Sequence, residues 1–271
     1  MKNDIEFINE LLNIKIEKVT DISIGDDQKV FLIESNNKKY ICKKPKTDIS
    51  KIENEEFALT ILSNLKIPIP KLIFKNKEML IESYIEGSLL SQDVSDNYFI
   101  QLGNLINQIH SIKLEGFGEI KKGKGEYKTE YDYLFSWLNF DKNKNNNLLE
   151  KYNFEAFFKE NIEILNNKDS YFLHGDISYT NVLINDNNIS GMVDFGDCIA
   201  GPIEYDLALF FIKIKNDENW NAFIKGYGKI FNKKKFDIYI IAFGIWLIQD
   251  GLIKEDDTQY KKFLDCVKIY L

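Results

Sequence analysis

Phe172-Leu-His-Gly-Asp-Ile-Ser-Tyr-Thr-Asn-Val-Leu-Ile184, followed by Gly191-Met-Val-Asp-Phe-Gly-Asp197, decides how the rest of the chain is read. Val182 to Ile184 and Ile189 to Val193 are short apolar runs on either side of Asn185-Asp-Asn-Asn188, so they predict a β-hairpin with that polar stretch as its turn. Polar residues stand at the open end of the hairpin. Asp176 and Asn181 precede the first strand, and Asp194 follows the second. Pairing of the two strands puts Asn181 and Asp194 near adjacent strand ends. Their side chains carry hard oxygen donors, the type that magnesium prefers.

Phosphoryl transfer asks little covalent chemistry of a protein: an aspartate to take the hydroxyl proton, and oxygen ligands that hold magnesium on the phosphates. Asp176, Asn181 and Asp194 occur in the order and spacing of such a loop and its metal-binding aspartate. The chain resembles the aminoglycoside phosphotransferase family, within the protein-kinase-like fold. His174-Gly-Asp176 with Asn181 matches that family's His-Gly-Asp-x4-Asn, and Asp194-Phe-Gly-Asp197 matches its Asp-x-Gly/Asp. Gly201-Pro-Ile-Glu-Tyr-Asp-Leu-Ala208 matches the segment that typically follows. The three motifs cover most of the core of a C-terminal lobe, while the N-terminal half matches more diffusely.

The resemblance implies an α+β, two-lobed protein-kinase-like fold. Residues 1–84 would form a small nucleotide-binding N-lobe of antiparallel sheet and helix. Residues 85–271 would form a larger, mainly helical lobe for catalysis and substrate. It also implies Asp176 as the catalytic base, Asn181 and Asp194 as Mg2+ ligands, ATP or GTP as co-substrate, and an alcohol group as acceptor. Asp206 resembles a family aspartate that braces the catalytic loop, and Asp197 one that faces substrate. His174 is expected to brace the loop, since Asp176 already supplies the base.

In the N-terminal half, Ile5, Ile8, Leu11 and Leu12 have helical spacing. Strands are expected over 19–25, 29–34 and 39–43. The first two resemble the family's flap over the nucleotide, without a Gly-x-Gly-x-x-Gly. Tyr40-Ile-Cys-Lys-Lys-Pro45 occupies the place of the kinase Val-Ala-Ile-Lys strand. Lys43, at the end of the apolar triplet, is preferred to Lys44 as the phosphate-binding lysine. Its partner should lie on a helix over 52–65, where Glu53, Glu55 and Glu56 compete. The family spacing of glutamate to leucine fits Glu55 with Leu59 and Leu62, with Glu56 left open. A strand over 77–84 leads into Ile85-Glu-Gly-Ser-Leu-Leu90, which resembles the family hinge. Adenine would then hydrogen-bond the backbone of Ser83 and Ile85.

A helix over 96–112 ends near His110, which reads as a packed residue; two distant histidines do not suggest zinc. Lysines and glycines over 119–130 suggest a mobile loop. Residues 131–165 read as helical, with a break over 141–147, and 203–271 as helices with Phe210, Phe211, Ile214, Phe223, Tyr227 and Phe231 in the core. Trp246 and Asp250, one helical turn apart, precede Glu255-Asp-Asp257. They form either a contact for a polycationic sugar or a solvated helix end.

Forty-two acids against 35 bases give 271 residues a net charge of −7. This balance argues against a general nucleic-acid surface and is compatible with a cationic ligand. There is no arginine, which excludes an internal arginine finger and guanidinium clamping of phosphates. Position 175, where many protein kinases carry arginine, is glycine, so an arginine-to-phosphate switch is unavailable and a constitutive small-molecule kinase is favoured. Cys42, Cys198 and Cys266 are widely spaced, as reduced thiols of a cytoplasmic protein would be. No signal-peptide region opens the sequence, and the run Ile238 to Ile248 is too short for a bilayer. The expected activity is aminoglycoside O-phosphorylation, an antibiotic-resistance function. Alternatives are a choline, homoserine or methylthioribose kinase of the same fold, or a catalytically inactive nucleotide-binding module.

Overall fold

Alternating side chains in the first part of the chain build an antiparallel sheet whose two faces have different chemistry. The computed structural model describes residues 2–23, 28–36, 38–46, 48–138, 152–166, 168–214, 216–249, 252 and 257–271. Strands β1 (Lys18–Asp21), β2 (Gln28–Ser35), β3 (Lys38–Pro45), β4 (Leu72–Lys75) and β5 (Leu80–Ser83) lie in the order β1-β2-β3-β5-β4, every pair antiparallel. Cys42 pairs with Phe31 on one side and Ile81 on the other. These three, with Ile33 and Met79, pack against Ile8 and Leu12 of helix α1 (Lys2–Leu12). Successive strand side chains point to opposite faces. Lys44 therefore reaches back to α1, its Nζ 2.9 Å from Asp4 Oδ2, while Lys43 faces the other way. Helix α2 (Ser50–Leu62) buries Ile52, Glu55, Ala58, Leu59 and Leu62.

The chain divides into two compact units, Met1–Ser88 with Val182–Asp197, and Leu89–Asn181 with Cys198–Leu271. The expected hairpin therefore belongs to the same unit as the N-terminal sheet. Val182–Asn185 pairs antiparallel with Asn188–Met192. Asp186 and Asn187 between them have φ of 45° and 64°, the left-handed conformation of a tight two-residue hairpin turn. The contacts that tie the hairpin down include Met192 N–H, which donates to Pro68 O at 2.9 Å, and Ile85, which packs on Gly191. A Cβ on Gly191 would lie 2.7 Å from Ile85 Cδ1, so a larger residue there would have to displace the Ile85 side chain.

The second unit is mainly helical. Helix α3 (Asp96–Ile109) is N-capped by Ser95. Helices Ile203–Lys213, Asp217–Tyr227, Lys233–Gln249 and Thr258–Tyr270 carry the aromatic core. Phe210, Ile214, Phe223 and Tyr227 are buried as expected, whereas Phe211 and Phe231 are half-buried. A four-stranded sheet joins Lys124–Tyr127, Phe117–Lys121, Ile199–Gly201 and Tyr171–Leu173 in that order. The mobile loop expected over 119–130 is thus corrected: most of it is a hairpin turning at Lys122 and Gly123. Phe117 and Ile120 are buried on it, and the burial of these apolar residues outweighs the run of lysines. The break expected over 141–147, the flap turn at Gly25 to Asp27, and Asp250 lie outside the described residues. No helix among the described residues is long and apolar enough to cross a membrane.

Candidate active site

Lys43 stands on β3, on the sheet face away from α1, and is 5% exposed. A buried ammonium needs opposite charge to compensate its lost hydration. Its Nζ donates to Glu55 Oε1 at 2.6 Å, and lies 3.4 Å from Glu82 Oε1 and 3.9 Å from Asp194 Oδ1. Glu55 is the α2 glutamate that turns inward, while Glu56 pairs with Lys75 at 2.8 Å. Glu82 lies on β5 opposite Ile41, two residues from Lys43, so it shares Lys43's face of the sheet.

One cation faces three carboxylates here, and the protonation equilibria reflect it. Burial acts to lower the Lys43 pKa, but the charges of Glu55, Glu82 and Asp194 outweigh it and hold the ammonium above the ordinary lysine range. Burial raises the Glu55 carboxyl, against the opposing charge of Lys43. Glu82 is pushed up to about 8, again by burial first, with Lys43 opposing.

Asp194 leaves the hairpin with φ of 65°, a left-handed conformation that aspartate tolerates better than most residues. Its side chain is 52% exposed. The following Phe195 N–H donates to Glu55 Oε1 at 3.4 Å, and Asn54 Nδ2 donates to Gly196 O at 3.0 Å. Helix α2 therefore holds both the strand lysine and the turn after Asp194. Asp197, expected to face substrate, ion-pairs with Lys51 of α2.

In the second unit the loop containing Asp176 is held through its backbone. Asp206 is fully buried in the first turn of the Ile203–Lys213 helix. Its carboxylate accepts from His174 N–H at 2.8 Å and Gly175 N–H at 2.9 Å. Gly175 has φ of 82°, which suits glycine and turns both N–H groups to one carboxylate. His110 Nε2 lies 3.0 Å from the same carboxylate, and its Nδ1 lies 3.0 Å from the Tyr227 hydroxyl. Burial alone would raise the Asp206 carboxyl. The hydrogen bond and charge of His110, the charge of His174 and the Gly175 N–H outweigh it, leaving Asp206 below its usual range.

Asp176 itself is about one-third exposed. Its N–H donates to His174 Nδ1 at 3.3 Å, so His174 braces the loop from within. Asn181 Nδ2 donates to Asp176 O at 2.9 Å and to Asp176 Oδ2 at 3.0 Å. The other carboxylate oxygen, Oδ1, ion-pairs with Lys213. Ser83 uses its N–H on Lys71 O at 2.9 Å, and Ile85 follows β5 by two residues. Trp246 lies half-buried on the Lys233–Gln249 helix.

Two residues of these clusters escaped the sequence reading. Glu82 sits in an apolar strand whose period hints at burial but not at a cationic partner. Lys213 lies 37 residues beyond Asp176, and no local spacing links the pair.

The phosphotransferase enzyme family, APH, matches residues 18–237 of the chain. The comparison with curated proteins returned no match. Among solved structures, aminoglycoside phosphotransferase APH(4)-Ia is similar with a TM-score of 0.72 at 14% identity, over 98% of this chain and 96% of that one. The streptomycin-ATP ternary complex of APH(2")-IIa gives 0.69 at 20% identity, over 98% and 95%. ADP-bound APH(2'')-Ib gives 0.68 at 22% identity, over 99% and 97%. Such likeness speaks for a kinase-like fold, an antiparallel-sheet unit and a helical one, and the match over most of the chain speaks for the family. The chain belongs to the phosphotransferase enzyme family and is a phosphotransferase acting on a hydroxyl group.

Proposed function

We propose that the protein is an ATP- or GTP-dependent aminoglycoside O-phosphotransferase of the cytoplasm, and that it confers antibiotic resistance. The observation that carries the phosphoryl-transfer chemistry is the Asp176 loop. Its backbone is held by Asp206, and its carboxylate is oriented by the Asn181 amide, with part of its surface open to an acceptor. In this reading residues 1–84 serve the nucleotide and 85–271 serve catalysis and substrate.

Asp176 is the general base. It takes the proton of the acceptor hydroxyl as that oxygen forms its bond to the γ-phosphorus. The bond from the γ-phosphorus to the bridging oxygen breaks, and ADP or GDP leaves. Lys43, kept charged by Glu55, binds the nucleotide phosphates. Because the Ser83 N–H is already used by Lys71, Ser83 offers adenine its carbonyl, and Ile85 its N–H.

Asn181 and Asp194 fit magnesium by donor chemistry. Asp194 is an exposed carboxylate; Asn181 commits its amide hydrogens to Asp176, and its Oδ1, which accepts from Thr180 Oγ1 at 3.5 Å, keeps a second lone pair for a metal. Bound magnesium would neutralise phosphate charge.

The acceptor is read as a polycationic sugar on two supports. The net charge is −7, and the structural relative APH(2")-IIa is solved with streptomycin. Asp197, Trp246 and Asp250 are the proposed substrate contacts. The test is a nucleotide-consumption screen with ATP and GTP across aminoglycosides, other antibiotics, choline, homoserine and methylthioribose. Turnover with an aminoglycoside, and raised resistance on expression, are expected. Turnover on a metabolite alone would replace the substrate. Nucleotide binding without any acceptor would indicate an inactive module.

A further inference from the structure

We propose that Lys213 is a positioning residue for Asp176, so that one helix sets both the backbone and the carboxylate of the catalytic loop. The inference rests on Asp176 being the base. Asp206 and Lys213 belong to the same helix, Ile203–Lys213, seven residues apart. Seven residues are close to two full turns, so the two side chains leave one face of the helix about 10 Å apart. The acid at the first turn grips the loop backbone at His174 and Gly175. The lysine in the last turn reaches Asp176 Oδ1. Each end carries the charge that its helix terminus favours, carboxylate at the start and ammonium at the end.

With Lys213 on Oδ1 and Asn181 on Oδ2, both oxygens of the carboxylate are tethered and its plane is fixed. A carboxylate retains further lone-pair directions, so the acceptor hydroxyl can still approach. The Lys213 and Asp176 side chains are 29% and 36% exposed. A pair this open to water adds little to folding stability, and its effect lies in orientation. Lys213 supplies this hold in a chain that has no arginine to do so.

The experiment compares Lys213→Met, Lys213→Arg and Lys213→Cys treated with 2-bromoethylamine, which rebuilds an ammonium of near-lysine length. Cys42, Cys198 and Cys266 are all buried, so alkylation of the folded protein is directed to position 213. ATP turnover is measured with the acceptor found in the screen and, independently of it, with water as acceptor. Misplacing a catalytic group by about 1 Å can cost about 100-fold, so kcat of Lys213→Met should fall by up to that factor. The KM for ATP and the thermal midpoint should stay near wild type. Lys213→Arg and aminoethylated Lys213→Cys should recover most of the rate.

In an Asp176→Asn background, Lys213→Met should have no further effect, because the lysine works through that carboxylate. Wild-type kcat in Lys213→Met would overturn the proposal while leaving Asp176 as base. So would a joint loss of stability and nucleotide affinity that aminoethylation does not restore, or a further loss in the Asp176→Asn background. Wild-type turnover in Asp176→Asn itself would instead remove the base assignment on which the proposal stands.

Discussion

The Lys43 cluster and the Asp176 loop hold their charges by opposite means. Lys43 is buried with Glu55 and Glu82, and its position is enforced by ion pairs shielded from solvent. Asp176 remains partly solvated, and its position is enforced by hydrogen bonds from Asn181 and by a loop whose backbone ends on Asp206. In the first region each charge depends on its partners for its stability as well as for its placement. In the second, the proposed roles fall on different residues, Asp206 holding the loop backbone and Asp176 serving as base. Substitutions should therefore couple stability and function at Lys43 and separate them at Asp176.

The sharpest separation is expected at Asp176→Asn, which keeps the shape and removes the proton acceptor. Turnover should fall roughly 10²- to 10⁴-fold, the usual contribution of a general base. The thermal midpoint and nucleotide affinity should stay close to wild type. A thermal loss as large as the one at Lys43 would erase the contrast between the regions.

Lys43→Ala should do the reverse and unfold the protein more readily, because it leaves Glu55 and Glu82 buried without their cation. Breaking a buried pair by removing one partner costs about 3–5 kcal/mol. Lys44→Ala, which loses only the partly exposed pair with Asp4, should cost up to about 1 kcal/mol. Urea unfolding and nucleotide binding of the two variants test this, and equal losses would reverse the assignment.

Glu82 sharpens the comparison through pH. Its folded pKa is raised to about 8 from an ordinary 4.5, so the fold favours the protonated form. The stability it contributes is complete below about pH 4.5 and is lost as pH rises through about 8. Glu55 is raised in the same direction and adds to this slope. Glu82→Gln should flatten the fall in urea midpoint between about pH 5 and about pH 9. A slope identical to wild type would mean that Glu82 is not the titrating group.

The smallest effect is expected at Glu56→Gln, whose pair with Lys75 lies toward solvent; about 0.5 kcal/mol is typical of such positions. Glu55→Gln, one residue earlier, should weaken nucleotide binding measurably. Indistinguishable variants would put the ion pair on the wrong face of α2.

The local features were readable because they are written within a few residues. The hairpin after Asn181 follows from two apolar runs and an Asn-Asp turn, and the structure pairs them with a two-residue turn at Asp186 and Asn187. Strand alternation separates Lys43 from Lys44, and helical phase separates Glu55 from Glu56. The hairpin at Phe117 to Tyr127 was missed because its lysines and glycines suggest a loop, and only packing shows that Phe117 and Ile120 are buried.

By itself the sequence determined the family motifs, the hairpin after Asn181, and the residue types available for phosphoryl transfer. Backbone sterics and side-chain periodicity act over spans of a few residues. Only the tertiary structure decided that Glu82 would be a third party to the Lys43–Glu55 pair, and that Lys213 would meet Asp176. It also decided that Asp206 would accept two loop N–H groups and His110 at once. The protonation and orientation of an ionisable group depend on solvent exclusion and on charges a few ångströms away, and those neighbours come from distant parts of the chain.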